Sequence, residues 1–202
     1  MEQKKYREEL RRLGRDLIVE SERENRRIVI LMGRPYHIDP LINHGIDELL
    51  ANLGVHVMSE RAYPLDNQQN LQDINVLTQW EYSNLLYAVS KKICKSDFID
   101  AVHLTSFGCG PDAIVSDEIK EIFDRNNKIY SLIKMDEIAN LGAVKIRLRS
   151  MLEATIRNKR KEGTKTATKK DFIQGISKAR QDKDAYSALF FSILFTSDSI
   201  RF

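Results

Sequence analysis

Apolar positions along the chain follow two patterns, long stretches with helical spacing and short, nearly unbroken runs. From Glu2 to Arg23 the sequence is strongly charged, and Tyr6, Leu10, Leu13, Leu17 and Ile18 recur at helical spacing. This predicts a helix with one apolar stripe. Residues 27–33 then read Arg-Ile-Val-Ile-Leu-Met-Gly, the signature of a strand buried on both faces in a parallel sheet. Pro35 and Pro40 break the loop that follows. Asn43 is placed to cap a helix through Gly45 to Leu50, Gly54 closes that helix, and 55–59 reads as a second strand. After a polar loop from about Glu60 to Asn75 the pattern repeats. A helix spans Trp80 to Cys94, strands span 98–105 and 128–134, and between them Asp112 to Asp124 is helical. A last helix begins near Leu141 and carries Val144, Ile146, Leu148 and Leu152. Short apolar strands alternating with helices indicate βαβ units and a parallel sheet, and right-handed crossovers place helices on both faces. The expected fold is α/β, Rossmann-like or flavodoxin-like, with about four parallel strands. The chain divides into an N-terminal helix (1–25), an α/β core (26–154), and a basic linker with a C-terminal helical segment (155–202).

Composition narrows the classes of function. With 202 residues, 42% hydrophobic and 30% charged, the chain has the make-up of a soluble globular domain. No apolar run reaches transmembrane length; the best, Ala185 to Phe195, is far too short. The charged start Met1-Glu2-Gln3-Lys4-Lys5 is unlike a secretory signal. The two cysteines, Cys94 and Cys109, give no disulfide framework and fit a cytoplasmic location. They also cannot complete a four-ligand metal site alone. A net charge of +3 is too small to indicate nucleic-acid binding. The late basic cluster from Arg157 to Lys170 has no interleaved aromatic residues and reads as a solvated linker. Beyond it, Tyr186 to Phe202 gathers Leu189, Phe190, Phe191, Ile193, Leu194 and Phe195, which suggests a shortened end or a piece that docks on something else.

Two loops carry candidate chemistry. The loop Ser106-Phe107-Gly108-Cys109-Gly110-Pro111-Asp112 joins the third strand to a helix. Its glycines permit close approach of a ligand. The following helix N-terminus favours a thiolate at Cys109, although a Gly-rich turn with an inert, buried cysteine is the plain alternative. The first βα loop carries Gly33-Arg34-Pro35-Tyr36-His37, then Asn43-His44-Gly45. Both loops follow strands that should run the same way, so Arg34, His37, His44 and Cys109 are expected on one rim, where open α/β sheets bind ligands. His can ligate a metal or transfer protons, and Arg can grip an anion. Taken singly, His44 also reads as a hydrogen-bonder at a helix start, His37 as a loop residue and Arg34 as a surface charge. The chain carries neither a Gly-x-x-x-x-Gly-Lys-Ser/Thr loop nor Gly-x-Gly-x-x-Gly after the first strand. This argues against a nucleoside triphosphatase or a dinucleotide enzyme.

These motifs carry a family resemblance. Residues 33–37, 43–45 and 106–110, with Lys134-Met135-Asp136-Glu137, Asn140-Leu141-Gly142-Ala143 and Arg147-Leu148-Arg149-Ser150, resemble the 2-hydroxyacyl-CoA dehydratase D-component family. The likeness is strongest to the version embedded in CoA-substrate-specific enzyme activases, and it spans about Arg27 to Leu152. It implies flavodoxin-like domains, a 4Fe-4S cluster held between them by cysteines, and ATP-driven, low-potential electron transfer toward radical dehydration of a 2-hydroxyacyl-CoA. On that likeness only Cys109 is carried over, as the candidate cluster ligand; the two loops themselves offer Gly33, Arg34, His37, Asn43, His44, Gly108, Gly110 and Asp112 as candidate cofactor-binding residues. Cys94 has no motif around it and reads as a core residue. The remaining ligands must come from another domain of a larger activase or dehydratase, or from a partner subunit, with acyl-CoA a further candidate partner. The chain is therefore expected to be a domain without activity of its own. The alternatives are a non-catalytic α/β module that binds CoA or a nucleotide, and an interaction scaffold.

Overall fold

A computed structural model of the chain describes residues 2–39, 41–65, 71–76, 79–106, 110–137 and 141–157. The chain divides into two units, Met1–Thr155 and Ile156–Phe202. The basic run beyond Arg157, the apolar C-terminal segment, Gly108 and Cys109 all lie outside the described residues. In order, the first unit contains α1 (Glu2–Glu24), β1 (Ile28–Met32), α2 (Ile46–Asn52), β2 (His56–Ser59), α3 (Glu81–Ile93), β3 (Ile99–Thr105), α4 (Gly110–Arg125) and β4 (Ser131–Lys134). A further helix, α5, covers 141–157.

The four strands form one parallel sheet in the order β2-β1-β3-β4. Ile28 pairs with His56 on one side and Ile99 on the other, and Val102 pairs with Ser131. The α/β class with a parallel sheet and helices on both faces is thus the observed architecture, and its strand order is the flavodoxin-like one. Every residue of β1 and β3 is buried, and strand alternation divides their side chains between two cores. Ile28, Ile30, Met32, Ile99 and Ala101 pack with Leu86, Val89, Ile119 and Phe123 of α3 and α4. Val29, Leu31, Val102 and Leu104 pack with Ile46 and Leu50 of α2 and with Leu148 and Met151 of α5. The two faces follow from topology. The step from β1 to β2 runs one way along the sheet and the step from β2 to β3 runs back over β1, so right-handed crossovers put α2 and α3 on opposite faces.

The structure adjusts several local expectations. Only the second half of the α1 stripe is used: Leu17 and Ile18 pack on the α3/α4 core, whereas Tyr6 and Leu13 stay 64% and 49% exposed. Gly14 lets α1 approach the segment after β2, since a Cβ there would lie 1.8 Å from the Ala62 carbonyl oxygen. Asn43 does not cap α2. Its Oδ1 accepts the Gly45 N–H at 2.7 Å, and Gly45, at φ 73°, is the capping residue. His44 is also left-handed, at φ 53°, so the chain makes a tight Asx-type turn before the helix starts. β4 begins three residues later than expected. Lys128 instead donates to the carbonyls of Ser96 and Ile99, and Tyr130 reaches His103.

Candidate functional site

The strand order reverses between β1 and β3, and the two loops leaving the carboxyl ends of these strands meet there. Open α/β sheets offer a crevice at such a point. In the first loop Pro35 opens a turn of 3-10 helix, Pro35–Ile38, in which the His37 N–H donates to the Arg34 carbonyl at 2.8 Å. Proline suits that first position because its φ is already helical and no donor is lost. The turn folds the His37 ring back over Gly33, where a Cβ would lie 2.6 Å from Nδ1. Gly33 is therefore a requirement of packing.

His37 is 1% exposed and both ring nitrogens are used. The Arg34 N–H donates to Nδ1 at 3.0 Å, so the ring proton sits on Nε2, which is 2.9 Å from Ser106 Oγ. The Tyr36 hydroxyl also reaches Ser106 Oγ, at 3.1 Å. Burial pushes the His37 pKa below its ordinary value; Asp112 opposes this and Arg34 adds to it. The imidazole is thus a neutral structural link between the end of β1 and the end of β3.

Arg34 makes the second link. Its Nε lies 3.0 Å from each Asp112 oxygen and a terminal nitrogen lies 2.7 Å from Oδ1. Asp112 is in the first turn of α4 and its side chain is only 5% exposed. The guanidinium stands over the Tyr82 ring at 5.4 Å. α4 starts at Gly110, two residues before the expected Asp112, which puts the Asp112 carboxylate where the helix dipole favours it. The loop after β1 therefore holds Ser106 through Tyr36 and His37, and Asp112 through Arg34. These residues flank the segment 107–109, which lies outside the described residues.

The other predicted residues behave differently. His44 is exposed and takes no part in these links. Asn43 is 1% exposed, and its Nδ2 has no hydrogen-bond partner among the described residues. Gly110 is exposed, with open space where a Cβ would go. Cys94 follows α3 and packs against the core, its Sγ 3.9 Å from the Ile122 carbonyl. Burial raises its thiol to about 11, so it is protonated at neutral pH. Among the described residues no group of three or more His, Cys, Asp and Glu is placed to hold a metal ion. The described donors accordingly do not by themselves fit a 4Fe-4S cluster, and Cys109 is not among them.

Three residues that sequence reasoning did not single out belong to this edge. Glu60, directly after β2, is 2% exposed, its Oε2 has no hydrogen-bond partner among the described residues, and burial raises its carboxyl to about 7. Tyr82 is in the first turn of α3, and burial raises its pKa. His103 pairs across the sheet with Met32, the last residue of β1. It is 1% exposed, its Nδ1 is 2.7 Å from the Tyr130 hydroxyl, and its Nε2 has no hydrogen-bond partner among the described residues. Burial lowers it to about 4. A polar residue directly after a predicted strand was the available signal for Glu60. His103 sits in an apolar run and gave none.

Comparison with known families fits part of this picture. Residues 1–62 match a family described as a CoA enzyme activase uncharacterised domain. The matched stretch runs from α1 through β2 and includes Gly33, Arg34, His37, Asn43, His44 and Glu60. The likeness is to an activase domain, without the dehydratase component that the motifs resemble. No curated protein matches the chain, and no solved structure does. Among the described residues no helix is long and apolar enough to cross a membrane.

Proposed function

We propose that the chain is an α/β domain of a CoA enzyme activase system and is not catalytic alone. In this reading it contributes Cys109 as one ligand to a 4Fe-4S cluster that another domain or chain completes. When bound, such a cluster supplies one-electron transfer at low potential. The residues of this chain supply the mounting. The observation that carries the reading is the double link at the β1/β3 switch point, His37 to Ser106 and Arg34 to Asp112. It fixes both flanks of the segment that contains Cys109. A ligand loop needs such support, because a thiolate held loosely loses affinity and geometry.

A specific observation supports docking of a neighbouring domain on the same edge. Ile38, Leu41 and Ile42 in the loop after β1, Trp80 before α3 and Leu141 at the start of α5 are 44%, 89%, 38%, 53% and 41% exposed. All belong to segments that leave or approach the carboxyl ends of the strands, where missing ligands would have to arrive. Recognition of a CoA or nucleotide phosphate by Arg34 is less well supported, because Asp112 already balances its charge. The test is iron and sulfide content, measured anaerobically on the protein with its neighbouring domains present. Cys109→Ser should lower it and Cys94→Ser should leave it unchanged. Full iron retention in Cys109→Ser would refute the assignment.

A further inference from the structure

α1 is longer than the sheet it packs beside. Its 23 residues measure about 34 Å, twice the length of the five-residue β1, about 17 Å. At its end, Glu24 Oε2 lies 3.2 Å from Nε2 of His56, the first residue of β2. Gly14, ten residues earlier in the helix, already meets Ala62, three residues past the end of β2. α1 therefore runs against β2, and by Gly14 it has passed from the amino edge of the sheet to the carboxyl edge. Residues 2–13 continue beyond it for about 18 Å. Arg7 ties this arm, at 3.0 Å, to Glu81 in the first turn of α3, next to the exposed Trp80.

One side of α1 turns toward the body, where Gly14 and Ser21 are buried and Leu17 packs on the core. A second side is fully exposed. It carries Glu2, Tyr6, Glu9, Leu13, Asp16 and Glu20, which follow one another at alternating spacings of four and three. That spacing draws one straight stripe along a helix, the seam along which a second helix packs. Tyr6 and Leu13, seven residues apart, are the kind of anchors such a pairing uses. The charge of the stripe selects the partner. Arg12 is shared between Glu9, at 2.6 and 2.9 Å, and Asp16, at 2.9 Å, so the stripe keeps a net negative charge. Pairing with the same stripe of a second copy would set like charges face to face, whereas a basic segment is complementary.

We propose that this stripe of α1 seats a basic amphipathic helix of the domain that docks on the carboxyl edge. The inference rests on the reading that a neighbouring domain docks there, and it names the segment that meets α1. That helix sets apolar residues against Tyr6 and Leu13, and lysine or arginine against Glu2, Glu9 and Asp16. Helices in proteins draw most of their stability from packing an amphipathic face. The sheet supplies that packing to residues 14–24, and the docked helix supplies it to the arm.

The test is photo-cross-linking in the protein with its neighbouring domains present. p-Benzoylphenylalanine replaces Tyr6, Leu13 or, on the opposite side of the helix, Lys4. Positions 6 and 13 should cross-link to one segment of the neighbouring domain, at points about seven residues apart and flanked by lysine or arginine. Position 4 should give no product with that segment. Glu2→Lys combined with Glu9→Lys should cut the yield from position 6 about tenfold, while far-UV circular dichroism stays unchanged. No cross-link at positions 6 and 13, attachment to unrelated segments or to one without basic residues, or a yield indifferent to the charge reversal overturns the proposal. Cross-linking to α1 of a second copy overturns the choice of partner. Cys109→Ser separates this inference from the ligand assignment, because the cross-links should persist in it while iron is lost. Iron retained with the cross-links intact contradicts the ligand assignment alone, and iron lost in a protein that never cross-links contradicts the α1 inference alone.

Discussion

The sheet has an arginine–aspartate pair at each end, and the two are built differently. At the amino edge Arg27, just before β1, grips Asp100 of β3 with Nε at 2.8 Å and a terminal nitrogen at 2.6 Å, and donates to the Asp97 carbonyl at 3.0 Å. Lys128 fills the neighbouring carbonyls of Ser96 and Ile99. The Ser96 hydroxyl is the buried polar atom there that lacks a partner among the described residues. At the carboxyl edge Arg34 and Asp112 are just as tightly paired, yet among the described residues the buried Asn43 Nδ2, Glu60 Oε2 and His103 Nε2 have no hydrogen-bond partner. Native proteins rarely leave such groups unsatisfied. The amino edge closes the fold, and the carboxyl edge holds more of the buried polar atoms that lack a hydrogen-bond partner among the described residues.

Breaking the amino-edge pair should have the largest effect on stability. Asp100→Ala leaves Arg27, whose side chain is 15% exposed, without its carboxylate, and should cost about 3–5 kcal/mol in denaturant unfolding. A loss below about 1 kcal/mol would mean the pair is solvated like an ordinary surface bridge. Asp112→Ala should cost less, about 2–3 kcal/mol, because the Arg34 side chain is 32% exposed and water can take part of its charge. Gly14→Ala tests the approach of α1. Its methyl group would overlap the Ala62 carbonyl, so a loss of about 1–3 kcal/mol is expected.

The pH dependence of stability separates the buried groups. His103 has a folded-state pKa lowered from 6.5 to about 4. Its contribution is full above 6.5 and is lost as pH falls toward about 4, where the folded protein must also accept the proton. Glu60 acts in the opposite direction, raised from 4.5 to about 7. Its contribution is full below 4.5 and is lost as pH rises through about 7. Glu60→Gln should therefore be more favourable relative to wild type at pH 8 than at pH 5, by about 1–3 kcal/mol. Equal effects at the two pH values would show that Glu60 is not desolvated. The smallest effect is expected from Ser106→Ala, about 1 kcal/mol for the lost link to His37.

Much of the fold was legible because the β1 run Ile-Val-Ile-Leu-Met and the β3 run beginning at Ile99 satisfy both faces of a parallel sheet without polar interruption. The helices of the core announced themselves by period and by turn residues such as Gly54. What misled was locally ambiguous. Asn43 has the chemistry of a cap, but two left-handed residues, His44 and Gly45, separate it from α2. Tyr6 and Leu13 keep helical spacing although no described element covers them. At the candidate site Arg34, His37 and Asp112 stood out by residue type, but their mutual pairing did not, since it depends on the loops meeting across the sheet. Glu60, Tyr82 and His103 carried little local signal; burial and neighbours make them notable, and both are properties of the fold.

The two aspartates allow the contrast between the edges to be tested at closely matched chemistry. Asp112→Asn and Asp100→Asn remove the same charge from opposite ends of the sheet. Iron and sulfide retained after anaerobic purification, with the neighbouring domains present, is the direct measurement. Asp112→Asn should lose a large share of the iron, as is expected of Cys109→Ser, because the flank of the Cys109 segment is released. Asp100→Asn, although more damaging to stability, should keep its iron in the folded fraction. Equal retention in both variants, or loss only in Asp100→Asn, would contradict the assignment of the carboxyl edge as the functional one.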